Sequence, residues 1–222
     1  MSINLSHTEE NYIKAVYRLE QDGKPASTND LSELLRTAAA SVTDMLKKLK
    51  QKKLVHYKAY YGCTLTETGR KNALIIIRRH RLWEHFLSKK LGFSWDEVHD
   101  IAEELEHVGN AGLISKLDAF LGYPRFDPHG DPIPDEKGHI IQLQHQLLSE
   151  IPLHRPVEVV QISDQSAPIL ELLNEKNIRI GTLLEIRKRF AYDESLEIKT
   201  GNKSITQVSK KLSQNILVKD HE

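Results

Sequence analysis

The stretch Ser27-Thr28-Asn29-Asp30-Leu31-Ser32-Glu33-Leu34-Leu35-Arg36-Thr37-Ala38-Ala39-Ala40-Ser41-Val42-Thr43-Asp44-Met45-Leu46-Lys47-Lys48-Leu49 reads as two helices broken by a tight turn. Ser27 to Asp30 are capping residue types, whose side-chain oxygens satisfy the open amides of a first helical turn. Leu31, Leu34 and Leu35 follow at helical spacing, Thr37 and Ala38 mark the turn, and Val42, Met45, Leu46 and Leu49 form the apolar stripe of the next helix. Upstream, Tyr12, Ile13, Val16, Tyr17 and Leu19 keep the same period until Gly23 and Pro25 end it. Downstream, Leu54-Val55-His56-Tyr57 and Cys63-Thr64-Leu65-Thr66 are β-prone runs around Tyr61-Gly62, as in a hairpin. Three helices and then a hairpin predict a winged helix-turn-helix.

Local charge says what that unit faces. The whole chain is neutral, with 31 Lys+Arg against 31 Asp+Glu. Between Arg36 and Lys58, however, seven basic residues (Arg36, Lys47, Lys48, Lys50, Lys52, Lys53, Lys58) meet one acid, Asp44. Such an excess suits phosphate contacts, because neutralising phosphates releases counterions. A solvated lysine-rich helix is the alternative reading, but its place in a helix-turn-helix favours double-stranded DNA. Small Ala39 and Ala40 let the helix sit deep in a groove. The expected contacts are Thr37, Ala40, Ser41, Thr43, Asp44, Lys47, Lys48 and Lys58, with Ser41 and Thr43 near base edges.

Residues 67–91 read as one long helix stopped by Gly92. Ser94 with Glu97 forms a capping box for a fifth helix to about residue 108, and a sixth runs from about 110 to 121. The Pro- and Gly-rich segment 122–138 is an irregular connection. Beyond about residue 147, the runs 157–162, 184–186, 196–198 and 216–218 are short and β-prone, with a helical turn at 169–173, the pattern of a small β-barrel. The fold class is therefore mainly α with a small all-β C-terminal domain. The expected domains are 1–73 (DNA-binding), 74–139 (helical, metal-binding and dimerising), a linker at 140–153, and 154–222 (barrel). Cys63 is the single cysteine, so no internal disulfide forms. No apolar run reaches membrane-spanning length, and a cytoplasmic location is expected.

Two helices carry ligand-type side chains. His80 and Glu84 are four apart and share a face; His99, Glu103, Glu106 and His107 share another. No Lys or Arg occurs between Leu91 and Ser115, whereas Asp96, Glu97, Asp100, Glu103, Glu104 and Glu106 are all acidic. Buried carboxylates need a counter-charge, and a divalent cation supplies one.

The residues Asn11-Tyr12, Ser41-Val42-Thr43, Leu65-Thr66-Glu67-Thr68-Gly69, Arg79-His80-Arg81-Leu82-Trp83-Glu84, Glu106-His107 and Pro128-His129-Gly130-Asp131-Pro132-Ile133-Pro134 resemble the diphtheria-toxin-repressor-like family of metal-dependent repressors. Ile178-Arg179-Ile180-Gly181-Thr182 is similar to the SH3-like third domain of its longer members. The resemblance implies two metal sites per subunit. The ancillary one takes His80, Glu84 and His99, joined by Glu158 and Gln161. The primary one takes Glu103, Glu106 and His107, completed from the first helix. Iron-type members place Met before the first-helix tyrosine and Cys at the Glu103 position, and short manganese-type members place Asp and Glu there. This chain has Asn11 and Glu103, with His7 and Glu10 as further first-helix candidates. His129 reads as part of the linker fold. The resemblance further implies a homodimer, with Trp83, Phe86, Leu105, Leu113, Ile114 and Leu117 at its interface, and a repressor of metal-uptake genes. Oxygen donors with one imidazole and no thiolate favour Mn²⁺, with Fe²⁺ the alternative. Two rivals are a winged-helix regulator answering a non-metal ligand and a metallohydrolase. No His-Glu-x-x-His motif and no poised nucleophile support the latter, so no enzyme activity is expected.

Overall fold

Helix α1 (His7–Leu19) starts with the reciprocal bonds of a capping box, in which Ser6 Oγ accepts from the Glu9 amide and Glu9 accepts from the Ser6 amide. Ser27 caps α2 (Thr28–Leu34), as the capping cluster predicts, and α3 (Ala39–Gln51) follows after one turn. Strands β1 (Val55–Lys58) and β2 (Gly62–Leu65) pair antiparallel, Val55 opposite Leu65 and Lys58 opposite Gly62. The computed structural model describes residues 5–20, 23–108, 110–201 and 204–221. The outermost limits of the expected first and last domains, 1 and 222, lie outside these.

Next come α4 (Glu67–Phe86), α5 (Val98–Leu105) and α6 (Ala111–Phe120). The long helix expected over 67–91 is present, but its last turn, Leu87–Leu91, widens into a π-helical turn that Gly92 ends at φ +77°. Glu97 does accept from the Ser94 amide and hydroxyl, yet the helix proper begins only at Val98 and stops at Leu105. Among the described residues, no helix is long and apolar enough to cross a membrane.

The chain divides into two compact units. The first comprises residues up to His80 with Leu105–Ile114 and Pro134–Ile140. Its core joins Tyr12, Ile13 and Val16 of α1 to Leu31, to Val42, Leu46 and Leu49 of α3, and to Leu54, Val55 and Cys63. Leu46 is completely buried, so truncating it to Ala should cost about 2–5 kcal/mol. Burial, with the charge of Glu20 nearby, pushes the Cys63 thiol up to about 12.

The second unit comprises Arg81–Glu104, Ser115–Ile133 and the chain from Ile141 onward. Its strands are β3 (Gln146–Leu147), β4 (Pro156–Ile162), β5 (Leu183–Arg189), β6 (Leu196–Thr200), β7 (Ile205–Val208) and β8 (Ile216–Asp220). They form an antiparallel sheet in the order β3-β8-β4-β5-β6-β7, with α7 (Ala167–Glu175) and the short α8 (Lys210–Ser213) between strands. Val157, Val159, Leu184, Ile186, Leu196, Ile198, Ile216 and Val218 fill its core with Leu170 and Leu173 of α7. Trp95 joins that core and donates its indole N–H to Asn174 Oδ1 at 3.0 Å. The register of β4 slips by a bulge between Val159 and Gln161. Gly130 seats there: a Cβ at that position would lie 1.9 Å from the Val160 carbonyl oxygen, so only glycine fits.

Candidate functional site

In the first unit, acids and imidazoles meet at Glu106, which is completely buried. Lys14 Nζ lies 2.7 and 2.9 Å from its two carboxylate oxygens, and His80 Nδ1 lies 2.8 Å from Oε2. Burial alone would raise the Glu106 carboxyl; the His80 and Lys14 contacts outweigh it and hold the group below the usual carboxylate range. His107 Nδ1 lies 2.7 Å from Glu10 Oε2. A carboxylate only accepts, so Nδ1 donates to Glu10, and Nε2 lies 3.8 Å from Glu106 Oε1. An imidazole oriented by a carboxylate behind it is the usual arrangement of a metal-ligating histidine. The other oxygen of Glu10 accepts from Arg79 at 2.7 Å, and the His7 ring stacks on His107 with centroids 4.5 Å apart.

In the second unit the centre is Glu84, one helical turn after His80 on α4 and itself only 1% exposed. His99 Nδ1 lies 3.3 Å from Glu84 Oε1, and His99 Nε2 lies 3.7 Å from Glu103. Glu84, Asp127 and His129 place one ligand atom each within 4.8 Å of one another, all buried. His129 Nε2 lies 2.7 Å from the Trp95 carbonyl oxygen and donates there, which turns Nδ1 toward Glu84, 3.9 Å from Oε2. Neither His129 Nδ1 nor Asp127 Oδ2 has a hydrogen-bond partner among the described residues. Burial, reinforced by the charges of Asp131 and Glu84, pushes the Asp127 carboxyl well above its ordinary range. Two carboxylates and one imidazole placed so close together are a donor set that fits a divalent cation.

Long-range contacts position that group. Asp127 Oδ1 accepts from the amides of His129 and Asp131 at 2.8 and 2.9 Å, closing the 127–131 loop on itself. The Ile162 amide bonds the His129 carbonyl at 3.0 Å, so the loop lies along β4 where Gly130 meets the bulge. Arg81 reaches Asp131 at 2.8 Å and the Pro132 carbonyl at 2.6 Å, and Gln161 also donates to Asp131.

On α3 the expected nucleic-acid face is open. Ala40, Ser41, Asp44, Lys47 and Lys48 are exposed, and Thr37 and Thr43 are partly so. Thr43 Oγ1 currently bonds the Ala39 carbonyl at 3.0 Å, and Lys47 pairs with Asp44 at 3.1 Å. No side chain caps the first turn of α3, whose N-cap is Ala38. Beside the wing, Lys47, Lys50, Gln51, Tyr57, Lys58 and Ala59 line a groove of about 560 Å³, and Lys50 donates to the Tyr57 carbonyl at 3.0 Å. Lys58 stacks over the Tyr61 ring at 3.9 Å, while Tyr60 stands fully exposed at the wing tip.

Several expected ligands have other neighbours here. Glu10, one position before Asn11, is the first-helix group that bonds His107. Glu103 lies against His99. Glu158 faces Lys219 on β8 at 3.2 Å, because the two are direct strand partners, and Gln161 is bonded to Asp131. Asp127, Asp131 and Arg81 were not anticipated as site residues, and His129 had been read as linker; Asp131 and His129 lie in the Pro128-to-Pro134 motif and Arg81 in the Arg79-to-Glu84 motif.

Residues 4–63 match the family model for the iron dependent repressor N-terminal DNA binding domain. Residues 66–135 match that for its metal binding and dimerisation domain, and residues 146–220 match the FeoA domain. The iron-dependent repressor IdeR of Mycobacterium tuberculosis is 32% identical over 130 residues, which is 59% of this chain and 56% of that protein. The match thus spans little more than half of that relative's length. The diphtheria toxin repressor of Corynebacterium diphtheriae is 28% identical over 197 residues, 84% of this chain and 87% of that protein. Among solved structures, a manganese-dependent transcriptional repressor in complex with manganese is similar at 30% identity and a TM-score of 0.88, covering 96% of this chain and all of that one. The apo form of the manganese-activated repressor ScaR is similar at 26% identity and a TM-score of 0.80, covering 95% of this chain and 100% of that one. A winged helix-turn-helix, a helical segment with acid and imidazole clusters and a β-rich C-terminal domain thus occur in the order these relatives share, and the chain belongs to the diphtheria-toxin-repressor family of iron- and manganese-dependent repressors.

Proposed function

We propose that this chain is a metal-activated transcriptional repressor that binds operator DNA as a homodimer in the cytoplasm and controls metal-uptake genes. The observation that carries the reading is the junction at Glu10 and His107. There the first turn of α1, packed in the same core as the recognition helix α3, meets the residues around buried Glu106. Glu106 and His107 are the primary ligands in this reading, with His80 beside them and Glu10 orienting His107. Glu84, Asp127 and His129 make the second site, with His99 and Glu103 alongside. Glu106 and His107 would hold a divalent cation, which would supply positive charge beside the Glu10 carboxylate of α1. Glu10 and His107 then hold α1 in place, which suits one spacing of the two recognition helices in a dimer. Half-sites one DNA turn apart select that spacing.

Predominantly oxygen donors and the absence of any thiol from either group favour Mn²⁺, with Fe²⁺ second. In this reading residues 1–73 bind DNA, 74–139 bind metal and dimerise, 140–153 are a linker and 154–222 form the barrel. In the second unit, Leu91, Phe93, Phe120 and Tyr123 are exposed, apolar surface of the kind a dimer covers. The test is operator-fragment binding by metal-free, Mn²⁺-loaded and Fe²⁺-loaded protein under anaerobic conditions. Metal-free protein should bind at least tenfold more weakly, a typical size for coupling between two sites. Equal binding with and without metal overturns the reading.

A further inference from the structure

Two neighbouring carboxylates leave the first turn of α1 in different directions. Glu10 goes to Arg79 and His107, as described above. Glu9, only 1% exposed, goes to the recognition helix. Its Oε1 lies 2.7 Å from Lys52 Nζ and 3.2 Å from Lys48 Nζ, and its Oε2 lies 2.9 Å from Lys52 Nζ while also accepting the Ser6 amide at 2.8 Å. Lys48 and Lys52 are one turn apart on the same face of α3 and its C-cap. A buried carboxylate gripped by two ammonium groups resists separation far more than a surface pair does, because leaving the charge unmatched inside the protein is costly.

We propose that Glu9 is a positioning residue that passes the placement of α1, set at the Glu10–His107 junction, to the recognition helix through Lys48 and Lys52. This rests on the reading of the chain as a metal-activated repressor. A helix cap alone needs no charge at residue 9, since Gln at the same position closes a capping box equally well. The lysine grip needs the charge. The two roles therefore separate in one variant, Glu9→Gln, which keeps the cap and loses the ion pairs.

The wild-type chain and Glu9→Gln are compared for Mn²⁺ affinity without DNA, operator affinity with and without Mn²⁺, and amide hydrogen exchange along α3. The expected result is Mn²⁺ affinity within about twofold of wild type and a metal-induced gain in operator affinity reduced roughly tenfold, within the usual range of coupling factors. Slowing of exchange around residues 48–52 on metal loading should be present in the wild type and lost in the variant. Adding Lys52→Met to Glu9→Gln should cost little more coupling, because both changes break one link. If Glu9→Gln fails to fold, Lys52→Met alone is read by the same exchange experiment, which does not depend on DNA contacts. Full metal coupling and unchanged exchange protection in either variant overturn the proposal. Failure of the underlying reading looks different: wild-type operator binding is then itself indifferent to metal, whatever the variants do.

Discussion

The two acid–imidazole groups are built from the same residue types but balance their charge in opposite ways. Around Glu106 the protein supplies its own cations. Lys14 sits on both carboxylate oxygens, and Arg79 matches Glu10. Around Glu84 and Asp127 the match is looser. Arg81 reaches Asp131 and the Pro132 carbonyl and stands 3.6 Å from Asp127 Oδ2, while His129 Nδ1 has no hydrogen-bond partner among the described residues. A group already neutralised from within binds an added cation only by releasing a side chain, so its occupancy follows supply. A group whose nearest side-chain cation stands farther off can take an added cation without releasing one. The first arrangement suits sensing and the second suits structural support.

The largest effect that breaks this contrast is expected at Asp127. Asp127→Asn keeps the Oδ1 acceptor for the His129 and Asp131 amides but removes the carboxylate as a ligand. Metal-free protein should then melt no lower than wild type. The metal-induced stabilisation, about 2.7 kcal/mol for one site at a hundredfold excess of ion over Kd, should shrink to whatever the first site provides. Thermal melts across a Mn²⁺ titration measure both, and a variant that keeps the full gain would place the tight site elsewhere.

Lys14 sharpens the same contrast with a smaller effect. Replacing Lys14 by Met removes a unit charge about 3 Å from Glu106, and the first site should gain roughly tenfold in Mn²⁺ affinity while the second is unchanged. Two-site calorimetry reads the two constants separately; a parallel rise in both would mean that the two groups are not electrostatically independent.

The smallest effect is a control on the DNA face, which belongs to neither group. Lys47→Met and Lys58→Met should each lower the salt slope of operator binding by about one unit per lost phosphate contact, with metal affinity untouched. A salt slope unchanged in both would remove these lysines from the interface.

How much of this was legible in the sequence depended on whether the relevant contact was local. Helices α1 to α3 were readable because capping residues and a 3.6-residue period act within a few positions, and the hairpin because Tyr61-Gly62 separates two β-prone runs. Glu106 and His107 stood out as ligand types on an acid-rich segment free of lysine. Their partners did not, since Lys14 and Glu10 reach them across more than ninety residues. The Asn11 expectation came from the resemblance, and one step along a helix is enough to change which side chain faces inward. Glu158 was drawn in by motif, and strand register sets it beside Lys219. Asp127 and His129 lie in a loop without period, whose shape comes from β4. Strands β3 and β7 were also missed: β3 is two residues long, and β7 has only one buried side chain, Val208.

The seating of Gly130 on the Val160 carbonyl has a consequence for stoichiometry. The loop that carries Asp127 and His129 has no sheet edge of its own to fold on; it borrows the irregular stretch of β4, and any side chain at residue 130 would prise it away. If Asp127 and His129 hold an ion as proposed, the number of ions retained after dialysis reports on the integrity of the C-terminal sheet. A Gly130→Ala chain, or one clipped ahead of β4, should leave a desalting column with one ion fewer per subunit than the intact chain, even where its reading helix remains folded.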